Sequence, residues 1–334
     1  MRVVETEIAV VGAGPAGLAA ARALQSAGRG VAVFDRGAIA EHVSRYPTYM
    51  TFFSTADLLE LDGFPLIIAG EKPSRREYLN YLRRFVKEMR LDARTGCEIV
   101  GCEGEKGAFR LSARDRSGEG FDVRAERVVL ATGAYASPQR LGVPGEDLPK
   151  VSHYFTEVHP YFGSRVLIVG GGNSAAETAL ELWRAGVEVA ICHRRAKFKD
   201  SIKYWLAPDL ENRVKNGEIR AFMPARVVEI RPRSVVIRPD GAEPTEIEND
   251  FVLALTGYRP DPGFLSRFGV SIDAATGRPR FDETTLESER PGVYMVGVML
   301  AGNVSSEIFI ENSRTHGERI VAHLANGATG EKPK

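Results

Sequence analysis

The sequence predicts an α/β protein of two doubly wound units, the second inserted into a first that is interrupted and later resumed. Three observations predict it. The chain has 334 residues, comfortable for two domains of ordinary size. A β-branched run, a glycine-rich turn and a helix-forming stretch occur in that order twice, from residue 7 and again from residue 165. A buried run ending in Thr-Gly follows each copy, at 126–133 and 250–257, and a late run at 292–297 returns the chain to the first unit.

The first copy opens with Glu7-Ile8-Ala9-Val10-Val11, the composition of a buried parallel strand. It runs into Gly12-Ala13-Gly14-Pro15-Ala16-Gly17, and an Ala- and Leu-rich helix follows to Ala27. Strand, G-x-G-x-x-G and helix in that order make a Rossmann-like dinucleotide fingerprint. Gly12 makes the tight turn, Gly14 lets the backbone approach a pyrophosphate, and Gly17 lets helix and strand pack closely. Pro15 and Ala16 open a helix whose unpaired N–H groups favour an anion. The next strand, Gly30–Asp35, ends in a carboxylate at the ~20-residue distance expected for a ribose-binding acid, with Arg36 beside it.

The pattern returns at Arg165–Val169 with Gly170-Gly171-Gly172-Asn173-Ser174-Ala175 and a helix through Trp183. The following strand ends in Cys192-His193-Arg194-Arg195, and His193 stands at the same offset from Gly170 as Asp35 from Gly12. A carboxylate there favours ribose hydroxyls, whereas arginines bind a 2′-phosphate bidentately. This charge logic predicts NADPH at the second site and leaves FAD for the first. The predicted FAD-binding domain covers 1–157 and 262–334, and the NADPH-binding domain covers 158–261. Residues 142–145, 148–149 and 258–263 read as linkers. Ser74-Arg75-Arg76-Glu77 is a capping-box pattern that opens a helix running through Met89. Ser305 to Ala325 reads as one long C-terminal helix.

Composition narrows the function classes. Lys and Arg number 44, as do Asp and Glu, so the net charge is zero and nothing points to nucleic acid or an anionic membrane. At 43% hydrophobic and 26% charged residues, disorder is excluded as the main reading. Three cysteines without a short spacing fit a reducing cytoplasm better than a disulfide framework. No apolar stretch approaches the ~18 residues of a membrane span, and the start does not resemble a signal peptide. No metal site is read.

The order of both fingerprints, with Ala131-Thr132-Gly133 and His193-Arg194-Arg195, resembles the low-molecular-weight thioredoxin-reductase class over essentially the whole chain. That class needs a Cys-x-x-Cys dithiol before the second fingerprint, where this chain has His153-Tyr154-Phe155-Thr156. Cys97 and Cys102 have a Cys-x4-Cys spacing but stand too late in the chain. On a strand their odd offset puts them on opposite faces, so they read as core. Four blocks resemble the bacillithiol disulfide reductase family: Tyr46–Thr55, Ala69–Arg76, Ser201–Pro208, and Leu300–Asn303 with Glu307–Asn312. The resemblance implies an NADPH-dependent FAD flavoprotein that reduces the disulfide of a low-molecular-weight thiol. A small-molecule acceptor and a homo-oligomer, dimer or larger, go with it.

The same resemblance implies that Tyr46, Thr51 and Phe52 line the flavin with Thr132 and Gly133. It implies that the Ser305–Ile310 helix start, including Ile308, faces the flavin's pyrimidine edge. Two departures stand out. Ala16 occupies a position where the family carries a cysteine, so no catalytic thiol is assigned. Gly297 is followed by Val298 in place of an aspartate, which leaves Asn303 as a candidate polar contact. Lys203 and Trp205 could border the nicotinamide groove. Open alternatives are a ferredoxin–NADP reductase-like enzyme, a flavin monooxygenase and a redox sensor without turnover.

Overall fold

A computed structural model of the chain describes residues 2–304 and 307–328. In the first unit, β1 (Val3–Val11) lies between two parallel neighbours, β2 (Val31–Asp35) and β6 (Gly120–Leu130). That position buries Ile8, Ala9 and Val10 completely, which is why the run is apolar without alternation. α1 (Pro15–Ser26) makes the crossover from β1 to β2. β3 (Asp92–Thr95) adds to the far side of β2.

β6 is long enough to serve two purposes. Its first half pairs antiparallel with β5 (Phe109–Arg114), which pairs with β4 (Glu98–Glu103). Its last three residues take β15 (Val293–Met295) in parallel, the late strand expected from the sequence. The sheet order is β3-β2-β1-β6-β5-β4, with β15 also on β6. Short helices α2 (Glu41–Ser44) and α3 (Ala56–Leu59) precede α4 (Arg75–Glu88), where Glu77 and Ser74 form the expected capping box.

The second unit repeats the plan. β8 (Arg165–Val169), α5 (Asn173–Arg184) and β9 (Glu188–Cys192) form the fingerprint, and α6 (Ala207–Lys215) leads to β10 (Arg220–Phe222). With β14 (Phe251–Ala254) and β7 (Val151–Ser152) they make a parallel sheet in the order β10-β9-β8-β14-β7. β11 (Ala225–Ile230), β12 (Ser234–Pro239) and β13 (Thr245–Glu248) form an antiparallel sheet. One core packs α5 and α6 on Val166, Ile168 and Ile191, and another packs Leu167, Cys192 and Val252 on Val235 and Ile237.

The compact units are 1–45, 50–137 and 258–334 for the first, and 46–49 with 138–257 for the second. The expected division at 157/158 lies later than this one. Residues 151–152, expected within the first unit, instead extend the second sheet by pairing with β14. The expected second junction at 261/262 lies close to the observed 257/258. Part of the supposed linker at 258–263 is helical: Pro262 opens α7 (Pro262–Arg267), capped by Asp261 on the Phe264 N–H at 3.0 Å.

The expected single C-terminal helix is two, α8 (Ile310–Ser313) and α9 (His316–Ala328), and Ser305 lies outside the described residues. The Ser313 hydroxyl donates to Phe309 O at 2.6 Å, back onto the carbonyl that the Ser313 N–H also bonds at 3.1 Å, just before the chain breaks. The two-faced reading of Cys97 and Cys102 also needs correction. Cys97 precedes β4 rather than lying on it, and a bulge between Ile99 and Gly101 shifts the strand's register, so strand alternation does not relate the two thiols, and both are buried as core.

Candidate nucleotide and flavin sites

The first glycine loop is shaped by three different constraints. Gly12 has φ +114, and a Cβ there would stand 2.4 Å from Ala131 O. A Cβ on Gly17 would stand 2.0 Å from Gly12 O, so the first turn of α1 closes on the loop only through glycine. Gly14 differs, because a Cβ there would meet no protein atom within 4 Å. Gly14 is the N-cap of α1, with no side-chain cap and Pro15 in the first turn. An uncapped helix N-terminus behind an open glycine fits a pyrophosphate.

The Asp35 carboxylate braces this loop, accepting from Ala13 N at 2.7 Å and from Gly37 N at 2.8 Å. Each oxygen keeps a lone pair for a ribose hydroxyl. Arg36 is exposed beside it. Thr132 and Gly133 are half-buried at the end of β6, where Gly133 has φ +65.

The second loop repeats the geometry with opposite charge. A Cβ on Gly170 would stand 2.5 Å from Leu255 O, and Ala175 takes the place of the third glycine as a buried residue. Gly172 caps α5 without a side-chain bond, and Ser174 is exposed in the first turn. Arg194 and Arg195 are exposed, as a 2′-phosphate clamp requires.

His193 does not join them. It is 6% exposed, and its ring packs so closely on Gly171 that a Cβ there would meet it at 2.4 Å. Burial, reinforced by Lys199, Arg194 and Arg195, holds the imidazole below its usual pKa. Its Nε2 is buried with no hydrogen-bond partner among the described residues, an orphaned polar atom beside the loop that fits a bound nucleotide.

Sequence reasoning missed Lys199. Its N–H donates to Gly171 O at 3.0 Å, and its Cδ lies 3.8 Å from the Cβ position of Gly172. A third cation therefore flanks the α5 N-terminus, and a return of the chain onto the loop is not written in any local pattern. Asn173 anchors that return, donating to Ser201 O at 2.9 Å and accepting from Lys203 N at 2.7 Å. Its side chain is thus spent on protein. Lys203 is 9% exposed and ion-paired with Glu177, and its ammonium lies 5.7 Å over the Trp205 ring. Lys203 thus ties this segment to α5.

The remaining expected flavin residues divide. Phe52 is 9% exposed and packs edge-on against Tyr78 at 4.9 Å. Thr51 is exposed and bridges Ser74, while Tyr46 is half-buried and belongs to the segment 46–49 of the second unit. Ile308 is half-buried just before α8. Asn303 is exposed and packs on the turn at Gly277, where a Cβ would stand 2.4 Å from its Oδ1.

Ala16 packs on Gly297, where a Cβ would stand 2.8 Å from the Ala16 methyl. The Gly297 N–H donates to the buried His316 Nδ1 at 3.2 Å. Burial pushes His316 down to about 4, with Arg319 adding to the effect. Cys97, Cys102 and Cys192 are all buried free thiols. Burial raises Cys102 above the ordinary thiol range and pushes Cys192 up to about 12. At the expected dithiol position, His153 instead faces the buried Glu146 at 3.4 Å.

The family model for pyridine nucleotide-disulphide oxidoreductases matches residues 9–297. The chain belongs to that family. It is similar to the bacilliredoxin reductase Bdr of Bacillus subtilis, 41% identical over 96% of this chain and 98% of the relative. Its fold superimposes on the bacillithiol disulfide reductase Bdr of Bacillus cereus with a TM-score of 0.94 at 39% identity, covering 97% of this chain and 99% of that one. The corresponding protein of Staphylococcus aureus gives 0.91 at 34% identity, covering 98% and 100%. A thioredoxin reductase of T. acidophilum, at 22% identity and a TM-score of 0.74 over 98% of this chain and 99% of that one, shares the fold.

The chain is an NADPH-dependent flavin oxidoreductase of this family, with FAD and NADPH as cofactors. Both loops fit them. Gly12, Gly14, Gly17 and Asp35 form one cradle, and Gly170, Gly172, Arg194, Arg195 and Lys199 form the other. Among the described residues no helix is long and apolar enough to cross a membrane.

Proposed function

We propose that the chain reduces the disulfide of a low-molecular-weight thiol of the bacillithiol type with electrons from NADPH. The observation that supports it is the match, at 39% identity over nearly its whole length, to a bacillithiol disulfide reductase. The overall change is NADPH plus a proton plus the disulfide, giving NADP⁺ and two thiols. Bound FAD supplies the two-electron step between donor and acceptor.

The chain's own groups bind and orient. The α1 N-terminus with Gly14 takes the FAD pyrophosphate, and Asp35 takes a ribose hydroxyl. Arg194, Arg195 and Lys199 take the 2′-phosphate end of NADPH, and the α5 N-terminus takes its pyrophosphate. No thiol of the chain takes part in this reading. Ala16 carries none, and the three cysteines are buried free thiols in or beside sheet strands, with burial raising Cys102 and Cys192 further from the thiolate form. The acceptor therefore draws its electrons without a mixed disulfide to protein. The free thiols support a cytoplasmic setting. A homo-oligomer accompanies this reading, and light scattering tests it.

Anaerobic NADPH oxidation by the FAD-loaded protein tests the acceptor. Bacillithiol disulfide should raise turnover well above the rate without acceptor. No acceleration by the disulfide, with rapid turnover on a bacilliredoxin disulfide or on ferredoxin, would replace the substrate while leaving both cofactors in place.

A further inference from the structure

We propose that His42 is an FAD-binding residue that donates a hydrogen bond to the cofactor's pyrophosphate and takes up a proton as it does so. The inference rests on the FAD assignment and adds a residue that neither fingerprint contains.

His42 lies on α2, and the main chain places α2 at the glycine loop. Ala40, the N-cap, donates its N–H to Ala13 O at 2.9 Å, and Ala13 sits between Gly12 and Gly14. To do so Ala40 adopts φ +54, a left-handed conformation uncommon for a residue with a Cβ. Strain of this kind persists where the surroundings over-determine it, and such places cluster at ligand sites. Here Ala40 is 1% exposed and locked by that bond.

From α2 the imidazole reaches the turn that follows β6. Its Nδ1 lies 3.6 Å from the Cβ position of Gly133, and Val298 lies 3.7 Å from the same point. Gly12 meets the same turn, since its Cβ position is 3.2 Å from Thr132 N. The glycine loop, the Thr132–Gly133 turn and His42 thus converge at the carboxyl ends of β1, β2 and β6. In doubly wound sheets that is where a dinucleotide binds.

The ring has the free valence this role needs. It is half-buried, and no hydrogen bond holds either nitrogen among the described residues. Its recorded neighbour is the Tyr135 ring at 6.0 Å. Tyr135 is itself fixed by its hydroxyl on Arg45 O at 3.1 Å and by the Tyr258 ring at 4.5 Å.

Charged groups face the imidazole from both adjoining segments. Asp35 at the end of β2 and Glu41 on α2 favour its charged form, while Arg36 and Arg45 oppose it. Burial outweighs the carboxylates, so His42 lies below its usual value and is neutral at pH 7 without the cofactor. A pyrophosphate brings negative charge into this half-buried setting and raises it. FAD binding is then coupled to uptake of one proton between the lowered free value and the raised bound value.

The test titrates apo-protein with FAD, read by flavin fluorescence, across about pH 5 to 8, the range in which histidine changes charge. Wild type should bind more tightly as pH falls, by up to about tenfold per pH unit inside the window. The His42→Gln and His42→Asn variants should lose that slope and bind about tenfold or more weakly at the acid end. In wild type, the His42 ring resonance should titrate at higher pH with FAD than without, a readout that survives poor folding of either variant. Superimposable FAD affinities and slopes in wild type and folded variants would overturn the role of His42. Equally, an unmoved His42 resonance would overturn it. Failure of wild type to bind FAD at any pH would instead remove the cofactor assignment on which the inference rests.

Discussion

Replacing Gly14 and Gly17 separately by alanine distinguishes a glycine kept for a ligand from a glycine kept for the fold. At Gly14 the backbone has φ −76 and ψ 175, which alanine adopts without strain, and its Cβ would meet nothing within 4 Å. Alanine is a poorer N-cap than glycine by roughly 0.5–1 kcal/mol. The smaller conformational freedom of the unfolded chain offsets about 0.4–1 kcal/mol of that. The apo-protein should therefore unfold within a degree or two of wild type. FAD is another matter. A methyl group between the backbone and a pyrophosphate removes a charge-assisted hydrogen bond worth about 1.5–3 kcal/mol, so affinity should fall by about 10- to 150-fold.

Gly17→Ala behaves the other way. Its Cβ would stand 2.0 Å from Gly12 O, so α1 must move off the loop, and overpacking of this kind costs about 1–3 kcal/mol. The apo-protein should melt several degrees lower. Paired thermal melts of apo-protein and FAD titrations measure both effects. Wild-type FAD affinity in Gly14→Ala would refute the reading of this loop as a pyrophosphate cradle, whatever Gly17→Ala does.

Arg194→Ala combined with Arg195→Ala should raise KM for NADPH by about tenfold or more and leave KM for NADH nearly unchanged, as steady-state assays with both nucleotides will show. Iodoacetamide applied to the folded holoenzyme should leave turnover intact and label little of Cys97, Cys102 or Cys192 by mass spectrometry, because all three are buried. His316 is neutral in the folded protein, with a pKa of about 4 against an unfolded value near 6.5. The unfolded chain binds the extra proton between those values. His316 therefore contributes full stability above about pH 6.5 and loses on the order of 3 kcal/mol as pH falls to 4. Denaturant titrations of wild type should weaken across that window more steeply than those of His316→Gln.

Both fingerprints were legible because each is local. Strand, glycine turn and helix are contiguous, and Gly12, Gly17 and Gly170 each answer to a close approach within the loop or from the adjoining strand ends, while Gly14 is left open to a ligand. The charge contrast between Asp35 and Arg194-Arg195 was legible for the same reason, since the end of the second strand is a fixed offset from the first glycine. The capping box at Ser74 and Glu77 needs only one turn of helix.

Other features depend on residues far apart in sequence. His193 belongs to the His-Arg-Arg run, but packing on Gly171 turns it inward while its two neighbours remain exposed. Lys199 reaches the second loop only because its own segment folds back and Asn173 holds it there. Phe52 packs on Tyr78 of α4, a partner more than twenty residues further along the chain. The strand at 151–152 exists because β14 offers an edge, and the C-terminal helix breaks where Ser313 bonds back to the chain. By itself the sequence determined two dinucleotide cradles, their opposite charges and the family. Only the tertiary structure decided which side chains turn toward those cradles, because that depends on packing partners brought together from distant parts of each unit.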